Sequence, residues 1–150
     1  SKLLRSYAAD LLNTGIGPKY SVEVEISSDA ETVVMECDAR LISRAINNLV
    51  QNSINHNPQG CTISLFLACS DTAISLTVVD NGVGLSAEKL RELGEKPHYM
   101  ESTDERLDLR HGLGLLLVRQ IVEAHSGAMK MESAPQSGYK AVLTFQKAIL

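Results

Sequence analysis

A cluster of asparagines lies in a segment whose apolar residues repeat with helical spacing. Its members, all within eleven residues, are Asn47, Asn48, Asn52, Asn55 and Asn57. Asparagine is a poor residue for a helix interior because its amide competes for backbone hydrogen bonds. At about 100° per residue, Asn48, Asn52 and Asn55 lie within roughly 60° of one another, beside the apolar face. Amide oxygens at the edge of a core could hold Mg²⁺ and leave its waters for phosphates to replace. A solvated, Asn-rich face is the alternative.

A second motif, VVDNGVGL at residues 78–85, ends a segment with the alternation of a strand. The Asp80 carboxylate could accept a hydrogen bond from an exocyclic amine. Gly82 and Gly84 would allow a flat ligand to approach the backbone. A plain Asp-Asn-Gly turn is the alternative for this motif.

A third motif, RHGLGL at residues 110–115, opens an apolar helical segment. The free N–H groups of a helix N-terminus and the helix dipole attract anions, so this motif is a candidate phosphate site. Close packing of the glycines against another helix is the alternative.

The remaining pattern predicts helices and strands in mixed order, with a weakly patterned stretch at about residues 82–111. Helices are predicted at about residues 2–12, 38–56, 87–93 and 112–125, and strands at about 20–27, 32–36, 62–69, 73–79, 128–133 and 139–145. Asp38 is the predicted N-cap of the long helix. Strands with helices set between them indicate an α/β two-layer sandwich on a mixed sheet.

Length, composition and charge exclude several classes of protein. The 150 residues allow one domain, and a formal net charge of −4 argues against a protein whose main function is to bind nucleic acid. Three cysteines without a CxxC pair predict free thiols in a reducing cytosol. No apolar run approaches the roughly 18–20 residues of a membrane span. We therefore expect a cytoplasmic domain without direct membrane contact, compatible with the cytoplasmic portion of a membrane-anchored protein.

The order and spacing of the motifs resemble the ATP-binding domain of bacterial sensor histidine kinases, which is grouped with DNA gyrase B, heat-shock chaperones and mismatch-repair ATPases. The resemblance rests on NLVQNS at 48–53, DNGVG at 80–84 and GLGL at 112–115, and it covers about residues 38–145. It implies a mixed, mostly antiparallel sheet of about five strands, about three helices and a mobile lid at about residues 85–111. Residues 1–15 would be a linker or leading helix from an upstream domain, and residues 16–150 the catalytic domain.

The resemblance also implies roles for individual residues and the cofactors ATP and Mg²⁺. Asn52 would bind Mg²⁺, Asn48 and His56 would contact phosphate or ribose, and Asp80 would bind the adenine amine. The expected nucleotide contacts are Asn48, Asn52, Asn55, His56, Asp80, Gly82, Gly84, Leu85, His111, Gly112, Leu113, Gly114, Leu115 and Thr144. The catalytic residues would be Asn48, Asn52 and Arg110. Arg106 is the other arginine that could reach the γ-phosphate, and surface charge is the alternative for both.

Three features depart from the family pattern. Asn55 stands where the family often has a phosphate-binding lysine, and Arg110 and His111 replace the glycine and small residue that commonly precede GLGL. The Phe-bearing lid segment is absent, with residues 97–100 as the nearest substitute. We expect modest nucleotide affinity, or a lid that needs a partner to order it.

One position favours a kinase over a hydrolase. In the hydrolysing relatives, a glutamate four residues before the Mg²⁺-binding asparagine acts as general base, whereas here that position is Asn48, which cannot accept a proton at neutral pH. None of the four histidines has the context of a phosphoacceptor. The resemblance therefore implies an upstream dimerisation and phosphoacceptor domain and a response-regulator partner, with a homodimeric parent protein. A nucleotide-binding regulatory or docking module with little or no kinase turnover and an anti-sigma-type serine kinase are the alternatives.

Overall fold

The structure, a computed structural model, describes residues 1–14, 17–33, 35, 37–84, 114–133 and 136–147. In these residues the helices are α1 (Lys2–Thr14), α2 (Ala39–His56) and α3 (Gly114–Ala124), with one 3-10 helix at Ser28–Ala30. The strands are β1 (Tyr20–Ile26), β2 (Cys61–Cys69), β3 (Ala73–Asp80), β4 (Ala128–Ser133) and β5 (Tyr139–Gln146).

The five strands form one sheet in the order β1-β2-β3-β5-β4. Strands β1 and β2 are parallel, and every other neighbouring pair is antiparallel. Because side chains alternate along a strand, one face of β3 buries Ile74, Leu76, Val78 and Asp80 under the helices. The predicted two-layer sandwich on a mixed, mostly antiparallel sheet is confirmed.

Helix α2 begins where the sequence predicts it. The Asp38 carboxylate accepts hydrogen bonds from the N–H groups of Arg40 and Leu41, which satisfies two free donors of the first turn. Its core face carries Ile46 and Leu49, each at most 1% exposed. This face packs against the sheet and α3, so the second half of α2 has a defined position over β2 and β3.

A histidine joins the two principal helices at the end of the domain where α2 begins. The Asp38 N–H donates to His125 Nε2 at 3.0 Å, and His125 Nδ1 lies 2.8 Å from the Ile121 carbonyl oxygen. Because Nε2 accepts the first of these hydrogen bonds, Nδ1 is the ring nitrogen that donates to the Ile121 carbonyl. The C-terminal end of α3 is thereby held against the N-terminus of α2.

The strand predicted at residues 32–36 is not formed in its described residues, Thr32, Val33 and Met35. After β1 the chain turns into the 3-10 helix, and the Val33 N–H donates to the Ala30 carbonyl instead of to a neighbouring strand. Val33 and Met35 pack against the core as single apolar side chains. The alternation at this point reflects contact with the core, not pairing in the sheet.

Helix α1 packs against the rest of the domain. Leu4 and Leu11 are 3% and 7% exposed and belong to the common core. The Tyr7 hydroxyl donates to Asn47 Oδ1 at 3.1 Å. The domain boundary near residue 15 stays a prediction. In the part of the chain that the structure describes, no helix is long and apolar enough to cross a bilayer.

Candidate functional site

The last two turns of α2 place a polar residue against the core. Asn52 is 3% exposed, and neither its amide nitrogen nor its amide oxygen has a hydrogen-bond partner among the described residues. Leaving a buried polar group unpaired costs about 1–3 kcal/mol. The amide oxygen is also a ligand type that Mg²⁺ accepts. The residue therefore fits the predicted role of a metal and phosphate ligand.

The other asparagines of the predicted stripe differ in their exposure. Asn48, one turn before Asn52, is half-buried, whereas Asn55 is exposed on the solvent side of α2. Of the three amides, Asn52 is buried, Asn48 lies at the edge of the core and Asn55 faces water.

Asp80 ends β3 beside this helix. The residue is 3% exposed; its Oδ1 atom accepts a hydrogen bond from the Gly82 N–H at 2.9 Å. Its Oδ2 atom is buried and has no partner among the residues described. A buried carboxylate with one oxygen used by its own turn and the other unpaired is suited to accept a hydrogen bond from a ligand amine.

The loop after Asp80 is anchored on two sides. The Thr62 N–H donates to Asn81 Oδ1 at 2.8 Å, and the Gln136 N–H donates to the Val83 carbonyl at 2.5 Å. Gly84 has a φ of +72°, which an L-residue with a side chain rarely adopts. The loop therefore has a defined path past the buried carboxylate.

Asn57 is a site residue whose role the sequence did not indicate, since there it was only one member of the asparagine cluster. It is 3% exposed; its Nδ2 atom donates to the Ser53 carbonyl at 2.8 Å, and its Oδ1 atom accepts from the Val83 N–H at 2.8 Å. One side chain thus joins the residue after Asn52 to the loop after Asp80. The Asn57 amide meets its acceptor on Ser53 and its donor on Val83 only in the folded domain, so no local sequence pattern identifies this residue.

Tyr139 is a second residue that the sequence analysis did not single out for the site. It pairs directly with Asp80 in the sheet, and its ring lies edge-on to the ring of His56, with centroids 6.5 Å apart. Burial, together with the nearby Asp80 carboxylate, raises the pKa of the Tyr139 hydroxyl well above its usual value. His56 therefore lies at the same end of the domain as Asp80.

Cys61, at the start of β2, is also close to Asp80. Burial raises the pKa of its thiol to about 11, with a further increase from the Asp80 carboxylate and a decrease from a hydrogen bond with Asn57. The thiol is therefore protonated at neutral pH and is a poor nucleophile. Cys61 is a free thiol, as the sequence predicts.

Helix α3 begins with Gly114 and Leu115. The Leu115 side chain is 2% exposed and belongs to the core, so a nucleotide contact at this residue would use its backbone. The remaining residues of the predicted phosphate and lid contacts, Leu85, Arg106, Arg110, His111, Gly112 and Leu113, lie outside the described residues. The same holds for the short helix at 87–93 and the lid at 85–111.

Thr144 does not lie with the other predicted site residues. It is exposed and pairs with Ser75 and Ala128, five residues along β5 from Tyr139, which is about 16 Å at the usual rise of a strand. It also points to the sheet face opposite the helices, because it alternates with the buried Leu143 and Phe145. The nucleotide contact expected of Thr144 is therefore not supported by this register.

Two cavities lie at different ends of the sandwich. A cleft of about 500 Å³ opens beside the Asp80 loop and is lined by residues that include His56, Asn57, Gly82 and Val83. An apolar cavity of about 410 Å³ lies at the opposite end of the sandwich, where Ile42, Leu67 and Phe145 contribute to its wall. The cleft, and not the apolar cavity, adjoins the segment that carries the buried carboxylate.

The sequence matches the family described as histidine kinase-, DNA gyrase B- and HSP90-like ATPases over residues 37–149. The chain therefore belongs to this family. Within the family its relatives are sensor histidine kinases, and the chain is an ATP-binding catalytic domain of that type.

The individual proteins compared have moderate sequence identity to this chain, and the matches cover most of this chain. The heme sensor protein HssS of Staphylococcus saprophyticus is 32% identical over 122 residues, which are 81% of this chain and 26% of that protein. The catalytic domain of the histidine kinase ThkA has a TM-score of 0.75 at 22% identity, covering 97% of this chain and 92% of that one. Full-length ShkA in complex with AMPPNP has a TM-score of 0.78 at 19% identity, covering 99% and 30%. The chain spans about a quarter of the length of HssS and of two other curated sensor proteins that it matches.

Proposed function

We propose that this domain binds ATP together with Mg²⁺ and presents the γ-phosphoryl group to a histidine of an upstream dimerisation domain, for transfer to the aspartate of a response regulator. The observation that supports this most directly is that the buried side chains of Asn52 and Asp80 both carry polar atoms without a partner among the described residues. One carries the amide expected for the metal and phosphate side, and the other the carboxylate expected for the base side.

The residues of the site have separate tasks in this proposal. The Oδ2 atom of Asp80 accepts a hydrogen bond from the adenine amine, and the Asn52 amide oxygen would hold the Mg²⁺ ion. When bound, the ion neutralises phosphate charge and orients the triphosphate. Asn48 and His56 flank the phosphate and ribose, and the backbone at Gly114 and Leu115 donates to phosphate oxygens.

The domain orients the nucleotide, and the nucleophile comes from elsewhere. Phosphoryl transfer depends mainly on in-line positioning and charge stabilisation, so the domain needs no group to activate water. Asn48 cannot act as a general base, which disfavours hydrolysis as the productive reaction. A histidine on a separate helical domain, in a homodimeric and cytoplasmic catalytic assembly, would be the acceptor.

Phosphoryl transfer is tested by adding the phosphoacceptor domain encoded upstream in the same gene to this chain in trans with γ-labelled ATP and Mg²⁺. We expect labelling of the added domain that is labile to acid and stable to base, as phosphohistidine is, and no labelling of this chain alone. Nucleotide binding without transfer would indicate a regulatory docking module, and acid-stable phosphoserine on a partner would indicate a serine kinase; either result contradicts the proposal.

The metal role of Asn52 is tested by Asn52→Ala. We expect ATP affinity measured by calorimetry to lose its dependence on Mg²⁺, with a decrease of about tenfold or more in the presence of Mg²⁺, because one amide oxygen ligand is removed. The fold should be retained, since removing a buried and unpaired amide costs the domain no hydrogen bond among the described residues.

Gln51→Ala is the matched control, because Gln51 precedes Asn52 on the same helix and is exposed. It should leave both the affinity and the Mg²⁺ dependence unchanged. An Asn52→Ala variant that is folded and keeps full Mg²⁺ dependence would contradict the assignment.

A further inference from the structure

Asn57 links the two halves of the proposed nucleotide site through hydrogen bonds at both ends of its amide. The Nδ2 atom donates to the carbonyl of Ser53, the residue next to Asn52, at 2.8 Å. The Oδ1 atom accepts from the N–H of Val83, three residues after Asp80, also at 2.8 Å. At 3% exposure, the side chain is shielded from competing water.

The helix end explains why an amide side chain is needed at this position. In a regular α-helix the Ser53 carbonyl would accept from the Asn57 backbone N–H, but that N–H donates to the Ile54 carbonyl at 3.2 Å. The side-chain Nδ2 therefore replaces the backbone donor for Ser53 and satisfies one of the free carbonyls of the last turn. The other end of the same amide is left to accept from the loop.

The main chain of Asn57 is held as firmly as its side chain. Its carbonyl oxygen accepts from the Tyr20 hydroxyl at 2.8 Å and from the Gly60 N–H at 2.9 Å. A side chain at residue 82 would collide with the Asn57 amide, because a Cβ atom there would overlap Asn57 Oδ1. Glycine at this position thus allows the Asp80 loop to pass directly over the amide.

We propose that Asn57 is a positioning residue for nucleotide binding, which fixes the base-reading Asp80 loop relative to the Asn52 end of α2. The proposal rests on the function proposed above. Since the Gly82 N–H also binds Asp80 Oδ1, moving the Gly82–Val83 segment would rotate the carboxylate that meets the base. Loss of the Asn57 amide should therefore reduce discrimination between bases, in addition to affinity.

The test compares ATP and GTP affinities of the wild type with those of Asn57→Leu and Asn57→Ala, by calorimetry at a temperature where each variant is folded. GTP carries a carbonyl where ATP carries the amine, so the ratio of the two affinities reports how well Asp80 is placed. We expect ATP binding to weaken about tenfold, GTP binding to change less, and the ATP/GTP ratio to fall accordingly.

Asn47→Leu and Asn47→Ala are the matched controls, because Asn47 also accepts one hydrogen bond on α2, from Tyr7 at 3.1 Å, at the contact with α1. They should lower the melting temperature without changing the ATP/GTP ratio. A folded Asn57 variant with the wild-type ratio would overturn the proposal, and so would failure of both Asn57 variants to fold, which would show a role in stability alone. If the wild type itself does not bind ATP, it is the proposed function that fails.

Discussion

Asp80→Asn is expected to remove most of the thermal stabilisation of this domain by ATP while leaving its fold intact. In this variant the new amide oxygen would still accept from the Gly82 N–H, as Asp80 Oδ1 does at 2.9 Å. The position of Oδ2, a buried acceptor in the wild type, is then taken by an NH₂ group. This group is a donor and faces the adenine amine, which is also a donor. The loss of a charged hydrogen bond, together with two donors facing each other, reduces the free energy of ATP binding by about 3 kcal/mol. This corresponds to a more than hundredfold loss of affinity.

The size of the effect on melting follows from mass action. At a nucleotide concentration of about 100 times the wild-type Kd, binding adds about 2.7 kcal/mol to the free energy of unfolding, and a hundredfold weaker ligand adds about 0.4 kcal/mol. For a domain of this size, the ATP-induced shift should fall from about 8 °C to about 1 °C. Thermal denaturation with and without ATP and Mg²⁺ measures it directly.

Asp71→Asn is the control for this substitution. Asp71 is exposed in the turn before β3, at the opposite end of that strand from Asp80. The control therefore removes one negative charge at a position far from the site. Its ATP-induced shift should equal that of the wild type. An Asp80→Asn variant that retains the full shift would show that another group reads the base.

Gly138→Ala is expected to have the second largest effect, on stability and on nucleotide binding together. Gly138 has a φ of +76°, and a Cβ atom there would overlap the Asp80 carbonyl oxygen. The left-handed conformation costs an L-residue about 1–2 kcal/mol, and relieving the collision requires β5 to move away from β3. We expect a loss of about 3 kcal/mol in unfolding free energy, measured in urea, and a lower ATP affinity because Asp80 is displaced.

Gly17→Ala is the control that separates the cost of the left-handed backbone conformation from the cost of a steric collision. Gly17 has a φ of +92°, with nothing within 4 Å of an added Cβ atom. The variant should lose about 1–2 kcal/mol and bind ATP as the wild type does. Equal losses in the two variants, with ATP affinity unchanged in both, would contradict the steric role of Gly138.

The parts of the fold that depend on local pattern could be predicted from the sequence. Alternation in β2 and β3 and the helical spacing in α2 predicted element bounds within about two residues, and Asp38 caps α2 as its type and position indicate. The segment at 32–36 also alternates, but its described residues form no strand. Alternation shows that one side of a segment meets the core, and it does not show whether a neighbouring strand is available to pair with it.

Part of the candidate site could likewise be predicted from the sequence, and part could not. Asn52 and Asp80 were identifiable from motifs, because their neighbours in the sequence carry the signal. The nucleotide contact expected of Thr144 is not supported, since the register of β5 against β3 puts it about five residues from the end of the strand that meets Asp80. A register is set by pairing over the whole sheet, so a residue type near the end of the chain does not indicate it.

The sequence by itself determined the class of domain and the residue proposed for each end of the nucleotide, Asn52 and Asp80, because their motifs are local. Only the tertiary structure decided how those ends are joined, through Asn57 and Val83, which are 26 residues apart, and through the pairing of Tyr139 with Asp80. Such contacts depend on where a helix ends over a sheet. That position is fixed by burial of the whole apolar face of α2, and no short stretch of residues specifies it.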